Sequence, residues 1–221
     1  MNYEVVQLHT PHSTQLESNL RILRDVVSIS RVRIAGISLM KLLVDHAVRS
    51  SIVDLSRPYA AIINRPDSDP FDWVFRNALT LRPIELETVR TGLDNCKVLE
   101  KARKVVTTWR TAEDTLIIID SCIARASSYE TRFIPVIQEL SSSVDTIVYF
   151  VLITARPGLE RIDKVSKLVK RVHVVTAAVD LAVDPRGWIV QGVGPDSWTK
   201  RIPEKMGAIE VWSDYPVDLA R

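Results

Sequence analysis

Four short apolar runs constrain this chain more than anything else in it. They are Ala60–Ile63, Thr115–Ile119, Thr146–Ile153 and His173–Val175. They are too short for helices, rich in β-branched residues, and apolar at consecutive positions. Both faces of each run therefore need cover, which is the condition of a central strand in a parallel sheet. Tyr129–Leu140 and Gly158–Val169 read as helices between them. The alternation predicts βαβ units and an α/β fold, an open, mainly parallel sheet with helices on both faces.

The flanks are read the same way. Glu4–Leu8 is strand-like, and helices are expected over Ser13–Arg24 and Ser30–Val53. Val32, Ala35, Leu39 and Leu42 keep the spacing of one buried helix face, and His46 extends it as an ordinary core histidine. Residues 84–109 break the alternation. Ile84–Val89 and Lys104–Trp109 look like strands around a charged segment, so a protruding antiparallel β-arm is expected there. The chain of 221 residues is expected to form one domain, with a mainly helical part over 1–58 and a tail of undefined role over 203–221.

Composition excludes several classes. With 29 basic and 27 acidic residues the net charge is +2, too near neutral for bulk attraction to nucleic acid or membrane. Cys96 and Cys122 make no disulfide framework. The four histidines show no metal-ligand spacing. The N-terminus lacks the pattern of a signal peptide, and the apolar stretch Ile147–Ala155 is far too short to span a bilayer. A cytoplasmic protein without membrane contact is expected. Arg161, Lys164, Lys167, Lys170 and Arg171 crowd one segment. A solvated helix face is the ordinary meaning of such a run, and nucleic-acid binding is the less favoured one.

In open α/β sheets ligands gather at the carboxyl ends of the strands. The strongest loop by that rule follows Thr115–Ile119 and reads Asp120-Ser121-Cys122-Ile123-Ala124-Arg125-Ala126-Ser127-Ser128. A strand ending in an acid, then small and hydroxylated residues opening a helix, can hold a phosphate on backbone N–H groups. Arg125 adds a planar fork of donors. The same residues also fit a plainer reading, in which Ser127 and Ser128 cap the next helix and Arg125 pairs with Glu130. A second loop follows the last core strand, where Gly192 and Gly194 permit close backbone approach to a flat ligand. Trp188 there is more often a core residue than a stacking platform.

The segment Thr176–Gly194 resembles the C-terminal signature of the uracil phosphoribosyltransferase family, roughly T-A-x-I-D-x-x-L-N-x-x-G-Y-I-x-P-G-L-G-D. Thr176, Ala177, Asp180, Gly187, Ile189, Gly192 and Gly194 match it in register. Leu152–Leu159 is similar to the family's L-V-A-A-P-E-G-I, and Asn19–Asp25 to its K-L-x-x-L-R-D. The resemblance implies the type I phosphoribosyltransferase sheet with a β-arm and a C-terminal hood. It implies transfer of a ribosyl phosphate from phosphoribosyl pyrophosphate (PRPP) to uracil. Mg²⁺ would accompany PRPP, with no prosthetic group, and the partners would be PRPP or a nucleotide and a second copy in a homodimer.

Transferred one by one, the family's residues fall on Arg65, Arg90, Asp120, Arg125, Ala126, Ser127 and Ser128 for PRPP. Trp188, Ile189, Gly194 and Asp196 take the nucleobase. No catalytic residue is assigned. The departures are specific. The family's D-P-M-L-A-T-G-G-S keeps only Asp120, Ala124 and Ser128; Arg125 stands for Thr, and Ala126 and Ser127 stand for the two glycines. Arg65 is followed by Pro66 and Asp67 rather than by Ala-Gly, and Pro195 takes the place of an Asp. Two expectations follow: a diverged homologue with weak or lost transferase activity that binds a nucleotide or phosphate, or an active enzyme of pyrimidine salvage with a rebuilt site.

Overall fold

A computed structural model describes residues 3–8, 13–25, 29–65, 69–87, 114–124, 133–140, 142–180 and 183. The strands are β1 (Tyr3–Gln7), β2 (Pro58–Arg65), β3 (Thr80–Glu87), β4 (Thr115–Ile123), β5 (Thr146–Ala155) and β6 (Arg171–Asp180). The helices are α1 (Ser13–Asp25), α2 (Ile29–Arg49), α3 (Asp69–Ala78), α4 (Ile134–Leu140) and α5 (Arg156–Ser166). The six strands form one sheet in the order β1-β6-β5-β4-β2-β3, and every adjacent pair is parallel. Among the described residues no helix is long and apolar enough to cross a membrane.

The continuous apolar runs are buried on both faces, as expected. Every residue of β5 is buried, and so is every residue of β4 after Thr115. Alternate side chains serve two cores. Ile117, Ile119, Val148 and Phe150 pack under α1, α2 and α3. Leu116, Ile118, Ile147 and Tyr149 pack under α4 and α5. Val32, Ala35, Leu39 and Leu42 of α2 are all buried, so the spacing read from sequence does mark its inner face.

The arm is where the fold departs from expectation. Ile84–Glu87 belong to the edge strand β3, which pairs parallel with β2 from Pro58↔Thr80 to Arg65↔Glu87. The connection is α3, a helix not anticipated from sequence. Its apolar face, Phe71, Val74 and Phe75, is spread over only ten residues. Pro83 is compatible with an edge strand, where a missing N–H leaves no central ladder bond broken. Alternation of apolar and charged residues in Thr80–Glu87 imitates a solvated arm, but it is equally the pattern of a half-covered edge. The remainder of the arm, the hood and the tail lie outside the described residues.

Two element limits also shift. α2 stops at Arg49, four residues before the expected end, because a Schellman turn closes it. Ile52 N–H donates to Ala47 O at 2.8 Å and Ser51 N–H to Val48 O at 3.0 Å. Ser51 occupies the left-handed position with φ of 56°. A side chain there costs about 1–2 kcal/mol. Ser51→Gly is therefore expected to raise stability by about 1 kcal/mol after the entropy of an unfolded glycine is deducted. A rise of about 2–4 °C in melting temperature would report it. β6 extends through Ala177 and Ala178 to Asp180; those residues lack the β-branching that marks its first half.

Candidate functional site at the carboxyl ends of the central strands

The topology fixes where a crevice opens. From β2 the chain crosses through α3, on one face, to the edge strand β3. From β4 it crosses through α4, on the opposite face, to β5. β2 and β4 are neighbours, paired from Ala60↔Leu116 to Ile63↔Ile119. Their outgoing connections thus diverge, and the carboxyl ends of these two strands form the switch point at which open α/β sheets take ligands. Arg65 is the last residue of β2. Asp120 lies on β4. Both predicted phosphate-side segments are thus brought to one place by topology.

Buried polarity marks the same end of the sheet. Among the described residues, the buried polar ones on the sheet are Asp120 and Ser121 of β4, Thr146 and Thr154 of β5, and Thr176 and Asp180 of β6. All but Thr146 lie in the carboxyl halves of the three strands. Asp120, Val151 and Thr176 stand level across the sheet, with Thr154 and then Asp180 further toward the strand ends. Thr176 Oγ1 lies 3.0 Å from Ala178 O and 3.4 Å from Leu152 O. Burying polar groups in an otherwise apolar sheet is costly, so their collection here makes this end of the sheet the candidate site. Sequence reasoning names Thr176 and Asp180 only as matches to the family signature, and Ser121 and Thr154 only within longer segments, none of them as a site residue. A further signal is hydroxyl and carboxyl groups inside runs that are otherwise aliphatic.

Asp120 differs from its predicted setting. β4 continues three residues beyond it to Ile123, so the acid is inside the strand and only 3% exposed. Its Oδ1 accepts the Ser121 N–H at 2.7 Å. By strand alternation it shares the α4–α5 face with Tyr149, which is fully buried. Burial first, and then the Asp120 charge, push the Tyr149 hydroxyl far above the usual tyrosine range. The folded state thus holds this proton at pH values where the unfolded chain releases it. Stability is fully present below pH ~10 and falls above it, by about 1.4 kcal/mol per pH unit for this group. Denaturant titrations from about pH 9 to 11 should show that fall, and Tyr149→Phe should remove one proton's worth of slope.

Arg65 and Asp120 are the predicted site residues within the described part. Arg90, Arg125, Ala126, Ser127, Ser128, Trp188, Ile189, Gly194 and Asp196 lie outside it. The opposite end of the sheet carries a cavity of about 410 Å³ with a polar lining. Much of its charge is engaged locally. Arg57 lies 3.5 Å from Asp114, and His173 Nδ1 lies 3.2 Å from Glu4 Oε2. Asp54 accepts the Ser56 N–H and hydroxyl, which hold its carboxyl below the usual range. Those contacts tie loops and strand starts together, so we place the candidate site at the carboxyl end. The basic segment after α5 is partly neutralised as well: Lys170 meets Asp145 at 2.6 Å and Lys167 meets Asp163 at 3.8 Å.

Comparison with known proteins bears on the fold and on part of the sequence. No curated protein matches the sequence. Among solved structures, AQ2163 protein from Aquifex aeolicus is similar with a TM-score of 0.62 at 16% identity, over 89% of this chain and 98% of that one. At that identity the likeness concerns the fold alone. TT1426 from Thermus thermophilus aligns over 84% of this chain and 96% of its own at 13% identity, with a TM-score of 0.38, too loose to bear on the fold. The uracil phosphoribosyltransferase family model matches residues 88–196. That span holds β4, β5, β6 and the loops predicted to follow β4 and β6. The likeness to the uracil phosphoribosyltransferase family thus rests on residues 88–196, just under half of the chain.

Proposed function

We propose that this protein is a diverged uracil phosphoribosyltransferase homologue that keeps a phosphate or nucleotide site but has weak or no transferase activity. The observation that carries the reading is Asp120. In the family pattern this acid heads the phosphate loop. Here it is buried within β4, with its carboxylate held by the adjacent N–H. The loop that follows has lost both glycines and gained Arg125. Phosphoribosyl transfer depends on electrostatic positioning around a leaving pyrophosphate, and a fold does not supply that by itself.

In this reading Arg125, Ala126, Ser127 and Ser128 hold the phosphate, Arg65 and Arg90 face the pyrophosphate side, and Trp188, Ile189, Gly194 and Asp196 form the base pocket. A homodimer and a cytoplasmic setting belong to the same proposal. Mg²⁺ would arrive on the pyrophosphate oxygens of PRPP, as the family resemblance implies. The test is the rate of UMP formation from uracil and PRPP with Mg²⁺. The expected rate is far below the enzyme range of about 1–1000 s⁻¹. A rate above about 1 s⁻¹ would establish instead the active salvage enzyme.

A further inference from the structure

Gly158 lies in the first turn of α5 and is buried. A Cβ there would stand 2.6 Å from Ile123 Cγ2, 2.7 Å from Ala124 O and 2.8 Å from Ile123 O. Two of those three atoms are backbone oxygens, which cannot swing aside as a side-chain tip can. The first turn of α5 therefore rests directly on the backbone that leaves β4. Helix propensity does not account for the residue, since glycine costs about 1 kcal/mol relative to alanine in a helix. Space does.

A second contact reaches the same point from the neighbouring strand. Thr154 is fully buried, is level with Ile123 in the sheet, and points its Oγ1 at Ile123 O, 3.4 Å away. The Ile123 carbonyl is thus met by β5 on one side and by α5 on the other. The N-cap of α5, Ala155, has no side-chain hydrogen bond. This helix start is therefore seated by packing against β4 rather than by a capping side chain.

We infer that Gly158 and Thr154 are positioning residues: the β5–α5 corner clamps Ile123–Ala124, the last described residues before the proposed phosphate loop in sequence, and so fixes the backbone from which that loop starts. The inference rests on the phosphate-site reading above, for which it supplies the supporting shell. Binding groups must be held within about 0.5 Å of their productive places, and a displacement of about 1 Å can cost a hundredfold. Relieving a 2.7 Å contact to an ordinary one requires a shift of that order.

The experiment uses the full chain and two readouts: amide NMR shifts of Ser121–Ala124 without ligand, and calorimetric affinity for PRPP with Mg²⁺. Gly158→Ala is expected to move those amides and to weaken PRPP binding about tenfold to a hundredfold. Thr154→Val, which removes only the hydroxyl contact, is expected to act in the same direction and less strongly; it serves if the alanine variant does not fold. Ser166→Ala, at the far end of α5, removes the bond to Asp163 O and should leave both readouts unchanged. Unmoved amides would overturn the clamp. Moved amides with unchanged affinity would overturn its positioning role. If the parent protein binds no PRPP, the phosphate reading fails, and the amide shifts still decide whether the clamp exists.

Discussion

Phe150→Ala is expected to lower the unfolding free energy by about 3–5 kcal/mol. Phe150 sits in the middle of β5 and is fully buried. Its ring meets Phe75 of α3 edge-on, with centroids 5.0 Å apart and planes at 64°. The ring therefore joins the central strand to the helix that creates the switch point. Truncation leaves a cavity that packed neighbours fill only in part, and the aromatic pair adds about 0.5–1.5 kcal/mol. A domain has only about 5–15 kcal/mol in total, so a large fraction of the protein should unfold under mild denaturant. Urea titration would read this as a lower midpoint at constant slope. A loss under about 1 kcal/mol would mean that α3 is not seated on β5 as described. Phe75→Ala in a double-mutant cycle should return a coupling of about 1 kcal/mol.

Restoring the family's loop should have the opposite sign. The triple variant Arg125→Thr, Ala126→Gly, Ser127→Gly recreates A-T-G-G-S after Ile123. A side chain at a backbone position that requires positive φ costs about 1–2 kcal/mol, and Arg125 is bulkier than the residue it replaces. The variant is expected to bind PRPP about 10–100-fold more tightly than the parent, since each 1.4 kcal/mol is a factor of ten. UMP formation is expected to stay low even so, because Asp120 remains inside β4 with 3% exposure. Full recovery of turnover would show that the loop alone had silenced the site and would count against the role given to Asp120.

Much of the fold can be read from the chain because its strands are extreme. Residues apolar at consecutive positions, as in Thr146–Ile153, have few homes besides a sheet covered on both sides. The α2 face is legible for a similar reason, since Val32, Ala35, Leu39 and Leu42 keep one helical period. Short or edge elements give no such signal. α3 offers under three turns of pattern, and β3 alternates in a way shared by an edge strand and a solvated arm. Parallel pairing of β2 with β3 follows from α3, so missing the helix entails missing the pairing.

The site is legible in location more than in membership. Strand ends and topology bring Arg65 and the β4 exit together, and the resemblance points to the same loops. The depth of Asp120 is not readable. A carboxylate after Thr115–Ile119 looks like a strand terminus, yet Ser121, Cys122 and Ile123 are small or apolar enough to continue the ladder beside β5. Thr154 is visible in sequence as a polar interruption inside a segment similar to a family motif, with no role attached to it. Its purpose emerges once Ile123 O is seen beside it. Gly158 matches a family motif as a letter; the reason for the glycine is a distance, and distances between strands are not written in sequence.

The central claim is that a phosphate site survives at this switch point while turnover does not. Calorimetric titration of PRPP with Mg²⁺ into the full-length protein tests it most directly. The account predicts saturable heat with micromolar to low-millimolar affinity, about −4 to −8 kcal/mol. Absence of heat across that range would contradict it and would mean that the loop after β4 no longer holds phosphate.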